Sequence, residues 1–415
     1  VASNEKWMQR TSDWLSFLKF RFSWGKVGND GIISTPRYVY LQDIGSTSSG
    51  TTKDVEAYRT GSFNRRIINF YGDEDIQWEI AEQANLGVET KLFKGLLEIQ
   101  ADIYQEFRHN ILSKRYVIPA NVGIEVAPLD NIGKTRSRGI DLSAKIQHQF
   151  SNDFWVILNG TLTYNKVKYE EIEEATNKPS WQRMKGQEIS QAIGYIAEGL
   201  FRDEAEIANS PRQDGDVMPG DIKYRDLNGD GSITVADATY IGYPETPRLI
   251  YGFSGFINYK RCEFSFSFQG SGKRTFFVNP SAISPFVGNH AMLTAIYNDH
   301  WSEDNMATRP FWPRLSPQNI TAHNPQENWY AGAETRKSTY FMRECSFLRC
   351  TSIQLAYNMP RKLLNKWRMQ NMKFFVSTNN PFCFTNFKLW DVELGENGFN
   401  YPIQRTYSLG FNISF

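Results

Sequence analysis

The last eleven residues, RTYSLGFNISF at 405–415, constrain the fold more than any other stretch of the chain. Tyr407, Leu409, Phe411, Ile413 and Phe415 take every second place, with Thr406, Ser408, Gly410, Asn412 and Ser414 between them. A period of two sends successive side chains to opposite faces, so the segment reads as a strand with one apolar and one polar face. A soluble sandwich can contain such a strand. A strand that closes a membrane barrel also stops on an aromatic carboxyl terminus, as this sequence does.

The same alternation recurs upstream. Leu18, Phe20, Phe22 and Trp24 alternate with Lys19, Arg21, Ser23 and Gly25, and Phe264, Phe266 and Phe268 alternate with Glu263, Ser265, Ser267 and Gln269. Charge on one face and aromatics on the other suit a polar lumen inside and lipid outside. The pattern predicts strands over 15–27, 37–44 and 65–70, with a Ser/Thr/Gly-rich loop at 46–53. It then predicts hairpins. Ala84, Leu86, Val88, Thr90 and Leu92 turn at Phe93, Lys94 and Gly95 into Leu97, Ile99, Ala101 and Ile103. Ile140, Leu142, Ala144 and Ile146 turn at Ser151, Asn152 and Asp153 into Val156, Leu158, Leu162 and Tyr164. Leu249, Tyr251, Phe253, Ile257 and Tyr259 meet the Phe264 strand across Lys260 and Arg261, and strands near 347–357 and 373–379 precede the last one.

Short turns thus alternate with long connections, as brief periplasmic turns alternate with extended extracellular loops in outer-membrane barrels. The connections 170–247 and 271–339 far exceed ordinary loop lengths. The second holds Trp301, Trp312 and Trp329 among six prolines, a composition expected of a folded loop. The expected fold is all-β, an antiparallel transmembrane β-barrel. An unclosed sheet in lipid leaves orphan backbone groups at several kcal/mol each, so these strands must close on themselves or on strands outside this sequence.

Composition excludes other classes. A mean hydropathy of −0.49 and the lack of an apolar run near ~18 residues rule out a bundle of spanning helices, but not a barrel, in which lumen-facing residues cancel lipid-facing ones. A formal net charge of +1 gives no electrostatic case for nucleic acid. Cys262, Cys345, Cys350 and Cys383 fit neither a metal spacing nor a dense disulfide framework, and read as free structural thiols. The sequence starts at Val1 without a charged segment leading into an apolar one, so it is expected to be the carboxy-terminal part of a longer exported chain.

One motif carries chemistry. Asp226, Asn228, Asp230, Gly231, Ser232 and Asp237 follow the calcium-loop template D-x-N-x-D-G, in which oxygens at the first, third and fifth places converge on a hard cation and the Ser232 carbonyl adds a ligand. Position twelve is Asp237, shorter than the bidentate Glu of an EF-hand. The alternative is an Asx-rich turn that needs no metal. Either way the expected task is to stiffen a long loop. Catalytic templates are missing: the five histidines show no H-E-x-x-H spacing, and neither G-x-S-x-G nor a P-loop occurs. Trp301, Trp312 and Trp329 offer flat faces for sugar rings or peptide side chains, or else pack the loops. Glu170, Glu171, Glu173 and Glu174 read as a solvated loop edge, His148 as a rim residue, and the basic stretch 361–368 as a short amphipathic turn at the membrane edge.

Five passages together resemble the SusC/RagA-type TonB-dependent outer-membrane transporters of Bacteroidetes: LKFRFSWGKVGND at 18–30, NIGKTRSRGIDL at 131–142, PGDIKYRDLNGDGSITVADATYIG at 219–242, CSFLRCTSIQLAYNMP at 345–360 and YPIQRTYSLGFNISF at 401–415. They fall in the family's order and span nearly the whole chain. The resemblance implies a barrel of about 22 strands, of which this chain supplies roughly the carboxy-terminal half. It also implies a plug domain and a TonB box outside this sequence, a SusD-like surface lipoprotein as partner, and import of oligosaccharides or peptides with no bond made or broken. Tyr407, Leu409, Phe411, Ile413 and Phe415 would then be the signal read by the membrane-assembly machinery. A calcium-dependent soluble all-β glycan-binding module is the alternative, and a secreted glycan-cleaving enzyme with two carboxylates at glycosidase separation is a third.

Overall fold

The computed structural model describes residues 5, 13–30, 38–47, 65–118, 120–122, 124, 126–306, 309–327, 337–396 and 398–414. Ten long strands form one antiparallel wall in which each pairs with its neighbour in sequence: β1 (Leu15–Asn29), β2 (Glu79–Leu92), β3 (Leu97–Lys114), β4 (Leu129–Ser151), β5 (Phe154–Glu171), β6 (Leu249–Tyr259), β7 (Cys262–Gly272), β8 (Phe347–Asn358), β9 (Asn371–Asn379) and β10 (Thr406–Ser414). Cys383–Thr385 adds a short strand beside β8.

Register carries the alternation from strand to strand, with a bulge between Ser267 and Phe268 where β7 meets β8. Phe20 lies opposite Val88, Val88 opposite Ala101, Ala101 opposite Leu142 and Leu142 opposite Leu162. Leu162 in turn lies opposite Tyr251, two places along Phe253 lies opposite Phe268, and on the far side Leu355 meets Val376 and Val376 meets Leu409. Phe20, Trp24, Leu86, Ile103, Leu409 and Phe411 are exposed on this face. The opposite face carries Lys19, Arg21, Glu89, Gln100, Asp102, Asp141 and Ser143 in register. It is not uniformly polar: near the short turns Trp155 stacks on Phe256 with ring centroids 4.8 Å apart.

The short turns fall where the sequence places them. Lys94 (φ 58°) and Lys260 (φ 56°) adopt the left-handed conformation that tight reversals need. Phe150, Phe154 and Tyr259 stack beside one such end, with His148 packed edge-on against Phe150, as in an interfacial aromatic girdle. Residues 361–367 form a helix of about two turns with Leu364 buried. All four cysteines are free.

One expected strand is corrected. β1 does not pair with a return strand at 37–44; its neighbour is β2. Asp43–Thr47 pairs instead with Arg65–Phe70 in a separate two-stranded sheet. The stretch before it has no sustained alternation with which to hold a place in the wall. Ser46 and Thr47 therefore belong to a strand, and the rest of the expected 46–53 loop lies outside the described residues.

The two long connections do not hang free. Together with residues 380–405 they build one body with its own core, in which Tyr195, Ile222, Tyr224, Val278, Ile296, Trp312, Phe341, Phe387 and Val392 are buried. Short strand pairs stitch it, Ala197–Leu200 with Ile222–Tyr224 and Thr275–Phe277 with Met342–Glu344. This body sits at the extracellular end, because the short turns occupy the other end.

Candidate functional site

On the lumen face the strands set charged residues side by side, and several of the charges are paired. Arg21 donates from Nη2 to Asp102 at 2.9 Å and lies 2.8 Å through Nε from Glu89, which also holds Lys19 at 3.4 Å. Gln100 donates to the same Asp102 at 3.1 Å. Gly87 makes room for this cluster: a β-carbon there would lie 2.4 Å from an Asp102 carboxylate oxygen. Higher on the same face Arg108 bridges Glu79 (2.6 Å) and Glu106 (2.8 Å), and across the wall Glu263 takes Lys373 and Asn358. A wall of fixed ion pairs and amides offers polar solutes hydrogen-bonding partners.

Above the wall, one buried ionic centre joins the two long connections. Asp221, fully buried, accepts from Arg314 Nε at 2.8 Å and pairs with His323 Nδ1 at 2.6 Å, residues about a hundred positions downstream. Asn324 accepts the Ile222 amide at 2.9 Å, and Gln213 bonds both Ile222 O and the Tyr224 amide, as a neighbouring strand would. The Tyr224 hydroxyl donates to Glu327 at 3.0 Å. Burial pushes the Glu327 carboxyl up to about 7 and the Tyr224 hydroxyl far above its ordinary range.

The Asp226 loop is locked by its own backbone. Asp226 accepts from the Gly229 and Gly231 amides at 2.7 and 2.8 Å, Asn228 from Asp230 at 2.9 Å, and Asp230 from Ser232 at 2.8 Å. Gly229 (φ 74°) and Gly231 (φ 80°) supply the left-handed turns. The Gly231 amide is the main cause that holds the Asp226 carboxyl below its usual range. Asp237 is buried beneath the loop, accepting from the Leu227 (2.9 Å) and Asn228 (3.3 Å) amides with one oxygen and from the Thr234 amide (2.8 Å) with the other, and it completes a capping box with Thr234. Among the described residues no three His, Cys, Asp or Glu side chains group as a metal cluster. The other template positions are the Ser232 carbonyl and Asp226, Asn228 and Asp230, whose side-chain oxygens already accept hydrogen bonds within the loop. As oxygens at template positions they suit a hard cation, with Asp237 joining only by giving up an amide.

The tryptophans separate. Trp312 is core, 2% exposed and packed on Phe341 with centroids 5.6 Å apart, so neither face is open to a solute. Trp301 is half-buried and lines a pocket of about 650 Å³ with Glu198, Arg202, Glu206, Lys223 and Met306. Trp329 and Phe415 lie outside the described residues. Tyr407, Leu409 and Phe411 stand exposed on the lipid-facing phase of β10, with Ile413 on the same phase. The acidic run is a ladder of ion pairs, Glu170 with Arg136, Glu171 with Lys134, Glu173 with Arg115 and Glu174 with Lys178. The Asp221 centre escaped sequence reasoning because its members are isolated polar residues brought together only by packing.

A family model described as "TonB dependent receptor-like, beta-barrel" matches residues 10–261, more than half of the chain. The chain belongs to the TonB-dependent receptor β-barrel family. Members of this family are outer-membrane β-barrels, and the two-faced wall is the part of such a barrel held here. TonB-dependent receptor P26 of Formosa agariphila is 25% identical across all of this chain and 41% of its own length. TonB-dependent receptor SusC of Bacteroides thetaiotaomicron is 24% identical across 97% of this chain and 38% of its own length. The chain thus spans about two-fifths of these TonB-dependent receptors. Among solved structures, the RagAB peptide importer in its open-open state aligns with a TM-score of 0.71 at 19% identity, and the RagAB peptide transporter with 0.70 at 20%; each match covers all of this chain and 42% of the other. At such identity the likeness shows the fold.

Proposed function

We propose that the protein containing this wall is an active importer of oligosaccharides or peptides across the outer membrane, driven by TonB and served by a SusD-like surface lipoprotein. The observation that carries the reading is the pairing of an apolar outer face with a lumen face rich in ion pairs beneath a folded extracellular body. The named relatives support it: one is called SusC, and the RagAB structures are of a peptide importer. The experiment is uptake by cells whose only copy is the full-length transporter. Accumulation of a labelled oligosaccharide or peptide should cease when TonB is deleted, and uptake that persists without TonB would sink the proposal. Pull-down of the full-length protein should bring a surface lipoprotein with it. A soluble binding module, by contrast, would stay folded and monodisperse without detergent.

Calcium is proposed as a structural ligand of the Asp226 loop, held by Asp226, Asn228, Asp230 and the Ser232 carbonyl, with Asp237 as the frame beneath. Removal of the ion should loosen residues 226–237 and leave the wall unchanged. Amide hydrogen exchange with and without chelator reads this, and equal protection of the loop in both would rule the metal out.

A further inference from the structure

The lipid-facing side of the wall changes character toward its extracellular end. On β4 the outward phase Ile146, Ala144, Leu142, Ile140 gives way to Arg138 and Arg136; on β5 the phase Leu158, Gly160, Leu162, Tyr164 gives way to Lys166 and Lys168. Register sets Arg138 opposite Lys166 and Arg136 opposite Lys168, so four cations share one patch, with directly paired positions about 5 Å apart. Two are already engaged, Arg136 with Glu170 at 2.9 Å and Lys166 with Glu188 at 3.1 Å. Arg138 is exposed and donates through Nε to Gln105 at 2.8 Å; Lys168 stands opposite Glu188, whose carboxylate is taken by Lys166 and Arg248, and neither Arg138 nor Lys168 has an ion pair of its own among the described residues.

Directly below lies a groove of about 530 Å³ on the same face, lined by Phe22, Leu86, Ile103, Ile140 and Tyr164 with Arg138 at its upper end. Strands that complete the barrel pair in the plane of the wall beside β1 and β10, and so leave this outer face uncovered.

We propose that this is a binding site for a phosphorylated, acylated lipid of the outer leaflet, its phosphate held by Arg138 and Lys168 and an acyl chain lying in the groove. The order of the two chemistries along the strands matches the order of headgroup and chain along a lipid. Two uncompensated cations above an apolar trough at membrane depth call for an anion that carries its own hydrocarbon.

The test uses the full-length transporter in non-ionic detergent, with monophosphorylated lipid A as probe and bound lipid read by native mass spectrometry and competition. The wild type should retain the lipid, and Arg138→Gln with Lys168→Gln should weaken retention by on the order of tenfold. Arg138→Lys, which keeps the charge, should restore most of it, and Lys145→Gln on the lumen face should change nothing. The dephosphorylated lipid should bind far more weakly. Equal retention by the double variant, with heat-modifiable migration confirming a folded barrel, would overturn the proposal. So would displacement of the lipid by equimolar inorganic phosphate, or a double variant that alters only the oligomeric state.

Discussion

Single residues in the extracellular body carry more of the design than their surroundings in sequence suggest. Glu327 is fully buried, and burial raises its carboxyl from the ordinary range to about 7. A folded-state value above the unfolded one stabilises the body below about pH 4.5, and that contribution is lost as pH rises through about 7. Across this window the body should lose on the order of 3 kcal/mol. Glu327→Gln should flatten the dependence, read as hydrogen-exchange protection of 222–224 and 320–327 against pH. Trp312 and Trp301 make a related point. Both are tryptophans in a proline-rich loop, and only their neighbours decide that one fills a core and the other edges a pocket.

At the scale of elements, the strands were legible because a wall with two different solvents must alternate at a period of two, and any slip of one place would turn charge toward lipid. The turns at Lys94 and Lys260 were legible for their local chemistry. The segment at 37–44 was misread because it lacks sustained alternation, and Asp43–Thr47 found its partner outside the wall. The two faces make opposite demands on the same substitution. Leu142→Arg, on the lipid face, should cost about 2–4 kcal/mol and lower the amount of assembled barrel, whereas Ser143→Arg, one place on and facing the lumen, should not. Phe411→Ala in β10, the proposed assembly signal, should lower assembly in the same assay. Heat-modifiable migration of the full-length protein from outer membranes measures all three.

For the whole molecule, the wall and the extracellular body have separate sources of stability. The body's core lies almost wholly in the loops, and Asp221 ties one long connection to the other through Arg314 and His323. Asp221→Ala leaves a buried guanidinium unpaired and should cost the body about 3–5 kcal/mol. Protection at 97–114 in β3 should stay as it was, since none of these groups touches the wall's hydrogen bonds; its loss in step with the body would mean one cooperative unit. Alternation alone determined that this chain builds strands with one apolar and one polar face, and its motifs pointed to a membrane barrel, because lipid and water impose a pattern written residue by residue along each strand. Which acids would be buried together, which tryptophan would be sealed in and where four cations would meet a groove were decided only by tertiary packing. Those contacts join positions tens of residues apart or on neighbouring strands, and the identity of a residue holds no record of the partner that the fold brings to it.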